Sequence, residues 1–186
     1  MGTLTPVTVR PIPAAKLSDN LNSETLAAYL GKSVEDFCGK YGKVGDGMHH
    51  RNHCAHFVSH ALSLRIPGAA LCSNVAGTSY PYAERMLGYC IRVDQVFNSC
   101  ENRSLTTAEA AMRADKCILV TTIGGNVEDK AAVKIGTNPR KHIGVLMNGR
   151  VYNYSNAKSK VVTLSVVEFS RIYGSKATVL LKADLP

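Results

Sequence analysis

Of the six cysteines in this sequence, Cys54 sits where a thiol could become a nucleophile. Asn52 is a suitable N-cap, and Cys54, Phe57, Val58, Ala61 and Leu62 recur at the i, i+3, i+4, i+7, i+8 spacing of a buried helix face. Cys54 is therefore expected in the first helical turn, where backbone N–H groups without helical partners and the positive end of the helix dipole favour thiolate over thiol. None of the other five cysteines has so clear a helix start. Taken alone, the pattern equally describes a small apolar residue that opens a core stripe.

A hairpin supplies the partners. Asn148-Gly149 is a strong two-residue turn signal between two strand-like runs, and it sets Met147 opposite Arg150, Gly144 opposite Asn153 and His142 opposite Ser155. Cross-strand partners share a face, so His142, Gly144, Asn153 and Ser155 point the same way. Asn153 is then the diagonal neighbour of His142, about 7–8 Å away between backbones, a gap these side chains can close. Gly144 opposite Asn153 leaves space open. Such a histidine can deprotonate a thiol carried by a packed helix, while the asparagine fixes its tautomer and rotation. Asn156 competes for the orienting role, but strict alternation turns it away. His142 could alternatively be an ordinary strand histidine at the surface.

These residues need a scaffold. Residues 1–20 carry Pro6, Pro11 and Pro13 with little periodicity and read as an irregular lead-in, with structure starting near Asn22 and one domain over 21–186. Ser33 and Asp36 form a capping-box pattern before Val34, Phe37, Cys38 and Tyr41, a short helix ending at the glycine-rich 42–47 segment. Pro67-Gly68 is expected to end the Cys54 helix, Pro81 to open another, and Thr106 with Glu109 to cap one running to about Arg113. The period then changes, and 117–123, 142–147, 150–155, 161–164 and 177–182 read as strands. Helices followed by a mainly antiparallel sheet predict an α+β fold.

Composition narrows the partners. The 186 residues, 45% of them hydrophobic, suit one core, and no run reaches the roughly 18 apolar residues of a membrane span. The N-terminus lacks the layout of a secretory signal peptide. A formal charge of +8 favours polyanions, but the basic residues are scattered, so no nucleic-acid partner is expected. The even cysteine count permits one or two disulfides, Cys38 with Cys72 being one such pair, or a set of buried thiols.

Asn52-His53-Cys54-Ala55-His56-Phe57-Val58, followed by His142-Ile143-Gly144-Val145 and Val151-Tyr152-Asn153, resembles the papain-like cell-wall peptidases of the NlpC type and their amidase relatives, the CHAP-related enzymes among them. Asp115-Lys116-Cys117-Ile118-Leu119-Val120 is similar to that family's Gly-Asp-led strand. The resemblance implies a nucleophile helix packed on an antiparallel sheet, a Cys54–His142–Asn153 triad, and a Tyr41 hydroxyl in the active site. His53 and Ser155 are the candidate substrate-side groups. It further implies hydrolysis of an amide in peptidoglycan peptides without metal or cofactor, by a protein made in the cytoplasm and acting in the periplasm or on the wall. One route is injection as an antibacterial effector by a type VI apparatus, with an immunity protein as partner. Departures are His53 and Ala55 in place of the usual Asp-Cys-Ser-Gly neighbours, and Asn153 where histidine is common.

Two other classes compete. Five of the six histidines, His49, His50, His53, His56 and His60, crowd Cys54, and His56 with His60 has the i, i+4 spacing of a helical metal pair, so a zinc site using Cys54 is a rival. Against it stand the missing His-Glu-x-x-His and Cys-x-x-Cys frames and the position of the flanking histidines off the apolar stripe. His53 is expected as a solvated helix-end residue that could tune the thiol. A third class is an inactive module that binds cell wall or a partner. Tyr152 and Tyr154, on the opposite face of the hairpin, are expected to pack.

Overall fold

The computed structural model describes residues 21–38, 53–75, 88–129, 131–174 and 178–185. Tyr41, Asn52 and the helix expected at Pro81 lie outside them. The elements are α1 (Ser23–Ala27), α2 (Val34–Phe37), α3 (Cys54–Ala61), α4 (Cys72–Val75), α5 (Val93–Asn98), β1 (Ser104–Thr106), α6 (Ala108–Ala111), β2 (Lys116–Ile123), β3 (Val127–Asp129), β4 (Lys134–Ile135), β5 (Lys141–Met147), β6 (Arg150–Ser155), β7 (Lys160–Ser165), α7 (Val166–Ser170) and β8 (Thr178–Ala183). This is the expected α+β class, built on a six-stranded sheet in the order β1-β8-β2-β5-β6-β7 with every pairing antiparallel. β3 and β4 form a separate pair. Among the described residues no helix is long and apolar enough to cross a membrane.

Alternation along the strands divides the core. Ile118, Val120, Ile143, Val145, Tyr152 and Tyr154 face α1, α2, α3 and α5, and join Leu26, Val34, Phe57, Val58, Val96 and Phe97 in one cluster. Cys117, Leu119, Leu146, Val151 and Leu180 face the other way, onto Ala111 of α6 and Val166 and Phe169 of α7. Tyr152 and Tyr154 pack, as expected.

Local chemistry sets the helix ends. Asn22 caps α1 by accepting from Thr25 N–H at 2.8 Å, and the Ser33–Asp36 capping box forms at α2. α2 is shorter than expected, because Cys38 already has an extended backbone. α3 also stops early. Ser63 adopts a left-handed φ of 49°, and the Leu64 N–H reaches back to Ser59 O at 2.9 Å, so a Schellman-type turn ends the helix before Pro67. Thr107 caps α6 rather than Thr106, which closes the unforeseen strand β1.

The hairpin has the expected register, pairing Met147 with Arg150, Leu146 with Val151 and Val145 with Tyr152. Positive φ at both Asn148 (50°) and Gly149 (74°) marks the tight turn that their sequence predicts. The ladder stops at Val145–Tyr152, so the expected pairs Gly144–Asn153 and His142–Ser155 do not form, although both strands continue to Lys141 and Ser155. Gly144 does not leave open space there. A Cβ on it would lie 2.7 Å from Val151 Cγ1, 2.8 Å from Tyr152 O and 3.2 Å from Asn153 Cβ, so only glycine permits this approach.

At the start of β5, Lys141 and His142 go to opposite faces. Lys141 Nζ contacts Asp94 Oδ1 of α5 at 3.1 Å and donates to Gly136 O at 3.0 Å, and Asp94 also pairs with Arg92 at 2.7 Å. Burial alone would raise the Asp94 carboxyl, but the Arg92 and Lys141 partners outweigh it and the net direction is down.

Gly144→Ala is expected to destabilise the fold by about 1–3 kcal/mol through overpacking against backbone, read as a lower urea midpoint at unchanged slope. A midpoint equal to wild type would show that the strands can separate freely here.

Candidate active site

Cys54 is the first residue of α3, and the first helical bond runs from Phe57 N–H to His53 O at 2.9 Å. The cap position belongs to His53, not to Asn52. Asn156 holds this helix start, its Oδ1 accepting from His53 N–H at 3.2 Å. It is therefore an anchor for α3 and not the orienter of His142.

Asn153 takes the orienting role. Its Oδ1 accepts from His142 Nε2 at 3.0 Å, and its Nδ2 donates to Val151 O at 3.3 Å, which fixes the amide the right way round. With Nε2 carrying the hydrogen, Nδ1 is the ring nitrogen left for Cys54, whose side chain hydrogen-bonds His142. Cys54 is 0%, His142 7% and Asn153 1% exposed. The His142 ring also packs on Phe169 of α7, with centroids 5.7 Å apart.

The route by which helix and histidine meet differs from the expected one. α3 packs on the face of Ile143 and Val145, whereas His142 belongs to the other parity. His142 lies beyond the last β5–β6 ladder pair, and α3 packs against both strands. The thiol thus reaches the imidazole at the end of the hairpin where the two strands no longer pair with each other.

Burial alone would lower the His142 pKa, but the charge and hydrogen bond of Cys54 and the bond to Asn153 outweigh it, so the net direction is up. The protonated ring is the form this favours. Tyr173, which the sequence reading missed, is half-buried in the same region, and its phenol is pushed up to about 12, first by burial and then by the Cys54 sulfur. It lies past α7 with no motif around it, so only the fold brings it near.

The remaining candidates go elsewhere. His53 is 2% exposed rather than solvated, its ring edge-on to Tyr154 with centroids 5.5 Å apart. Ser155 Oγ accepts from Lys158 N–H at 3.3 Å and caps the turn after β6. His56 and His60 do pair, but with Cys38 and Cys72 rather than with Cys54. None of the six cysteines is in a disulfide, and Cys38 Sγ and Cys72 Sγ are 3.8 Å apart, well beyond the roughly 2.05 Å of a disulfide. Cys72 also opens a helix, the short α4, contrary to the expectation that Cys54 alone had a clear helix start. Cys90, Cys100 and Cys117 are pushed up to about 11, 12 and 11, each chiefly by burial, which keeps them as thiols.

Removing the Asn153 hydrogen bond should lower the His142 pKa, because that bond favours the protonated ring. In Asn153→Ala the His142 ring is expected to lose its proton at lower pH than in wild type, followed by histidine NMR against pH. An unchanged His142 titration would remove Asn153 from the site.

No family model, no curated protein and no solved structure matches this chain, so its likeness to NlpC-type enzymes is one of motif order and spacing alone.

Proposed function

We propose that the chain is a papain-like cysteine hydrolase that cleaves an amide bond in peptidoglycan peptides. The observation that carries this reading is the His142 ring held between the Cys54 side chain and Asn153 Oδ1, the latter at 3.0 Å. A hydrogen-bonded thiol, imidazole and amide in that order are the parts of a thiol acyl-transfer site. The substrate class rests on the motif resemblance and on a formal charge of +8, which suits an anionic wall.

In the proposed reaction His142 Nδ1 takes the Cys54 proton, and the thiolate adds to the scissile carbonyl. Backbone N–H groups at the start of α3 stabilise the oxyanion. The C–N bond breaks as the imidazolium returns its proton to the leaving amine, leaving a thioester. Water, deprotonated by His142, attacks the thioester and releases a carboxylate and the free thiol. Asn153 keeps Nε2 protonated throughout. Because Cys54 is fully buried, substrate must displace the side chains over it. Delivery to the periplasm as an antibacterial effector with a cognate immunity protein belongs to the same proposal, and its readout is loss of viability on periplasmic expression that depends on Cys54.

Incubation of wild type, Cys54→Ala and His142→Ala with purified peptidoglycan, followed by mass spectrometry of released fragments, tests the activity. Wild type is expected to release fragments bearing a new amine and a new carboxylate. Cys54→Ala should release none, and His142→Ala should be slower by roughly 10²–10⁴-fold. Identical fragment profiles from all three proteins would defeat the proposal.

A further inference from the structure

Four donor side chains meet on the far side of α3 from β5. Cys38 follows α2, His56 and His60 lie one turn apart on α3, and Cys72 opens α4; their ligand atoms all lie within 4.8 Å of one another. Cys38, His56 and Cys72 are buried and His60 is half-buried. We propose that these four side chains form a structural tetrahedral zinc site, separate from the Cys54–His142–Asn153 arrangement.

Geometry supports this first. Two sulfurs bound to one tetrahedral zinc at about 2.3 Å stand about 3.8 Å apart, and Cys38 Sγ and Cys72 Sγ are 3.8 Å apart. That separation is too long for a disulfide, and the two thiols are hydrogen-bonded to each other across it. The donor set, two sulfurs and two imidazoles with no carboxylate, is that of a closed Cys₂His₂ site rather than of a catalytic site with an open position.

The surroundings fit as well. Tyr89 N–H donates to Cys72 Sγ at 3.3 Å, the kind of backbone bond that supports a metal-bound thiolate. Phe37 packs edge-on to both imidazoles, at 5.8 Å from His56 and 5.2 Å from His60, and Tyr89 covers His60 at 3.7 Å. Binding takes both sulfurs as thiolates and both imidazoles neutral, and so releases the thiol protons of Cys38 and Cys72 to solvent. The ion would tie the end of α2, the middle of α3 and the start of α4, three short elements, to one another.

Metal content of the full chain, purified without chelator under reducing conditions and supplied with zinc, tests the site. About one zinc per chain is expected in wild type and in Cys54→Ala, and roughly a tenth of that or less in Cys38→Ala and Cys72→Ala. Cobalt titration of the wild type should give the visible bands of tetrahedral thiolate-bound Co(II). Cys72→His, which keeps a fourth ligand, should retain cobalt with a changed spectrum even if the alanine variants do not fold. A wild-type chain that takes up neither metal, or that carries a Cys38–Cys72 disulfide, overturns the site. So does zinc content unchanged in both alanine variants. Loss of zinc in Cys54→Ala would move the metal to the nucleophile instead.

Discussion

The 3.0 Å hydrogen bond between His142 and Asn153 lies where the β5–β6 ladder has already ended. Where the backbone ladder no longer ties the two strands together, this side-chain bond joins them and fixes the rotation of the imidazole. Gly144 allows the close strand approach from which Asn153 can reach, and Asn156 holds the start of α3 at the same end of β6. The thiol and the imidazole, carried by opposite faces of the sheet, meet only because these three local features coincide.

α3 has two chemical ends. Its first residue faces His142, while His56 and His60 turn toward Cys38 and Cys72. A helix of eight residues is too short to be stable by itself, so its position depends on what grips it. Phe57, ringed by Tyr29 and Phe37, supplies apolar contact, and the sulfur–imidazole cluster lies beside it. Whatever fixes the middle of α3 also fixes the angle from which Cys54 reaches the hairpin.

The part of this arrangement that could be read from sequence follows fixed rules of local geometry. The five longer strands, the Asn148-Gly149 turn and the choice of Asn153 over Asn156 all come from strand alternation and a two-residue loop. Helix ends were less legible. Ser63 in a left-handed conformation stops α3 before the proline that seemed to end it, and Thr107 displaces Thr106 as a cap because β1 consumes the latter. The histidines misled for a physical reason. His53 and His56 fall off the apolar stripe, yet Tyr154 packs on the first and Phe37 of α2 on the second, and both are buried. The cluster of Cys38 and Cys72 with His56 and His60 joins residues up to 34 positions apart through no shared motif, and Tyr173 reaches the region of Cys54 from beyond α7. Neither proximity has a signal in spacing.

Lys141 and His142 are adjacent in sequence and opposite in orientation, the first bound to Asp94 and the second to Asn153. A slip of β5 by one residue would exchange them, driving an ammonium against Phe169 and an imidazole toward the Asp94 carboxylate. Both misplaced groups would lose their partners in a buried setting, so the slipped pairing is strongly penalised. The ion pair at the head of β5 thus acts as a register pin: it makes the phase of the strand, and with it the identity of the residue that meets Cys54, a property checked once by charge and once by a hydrogen bond.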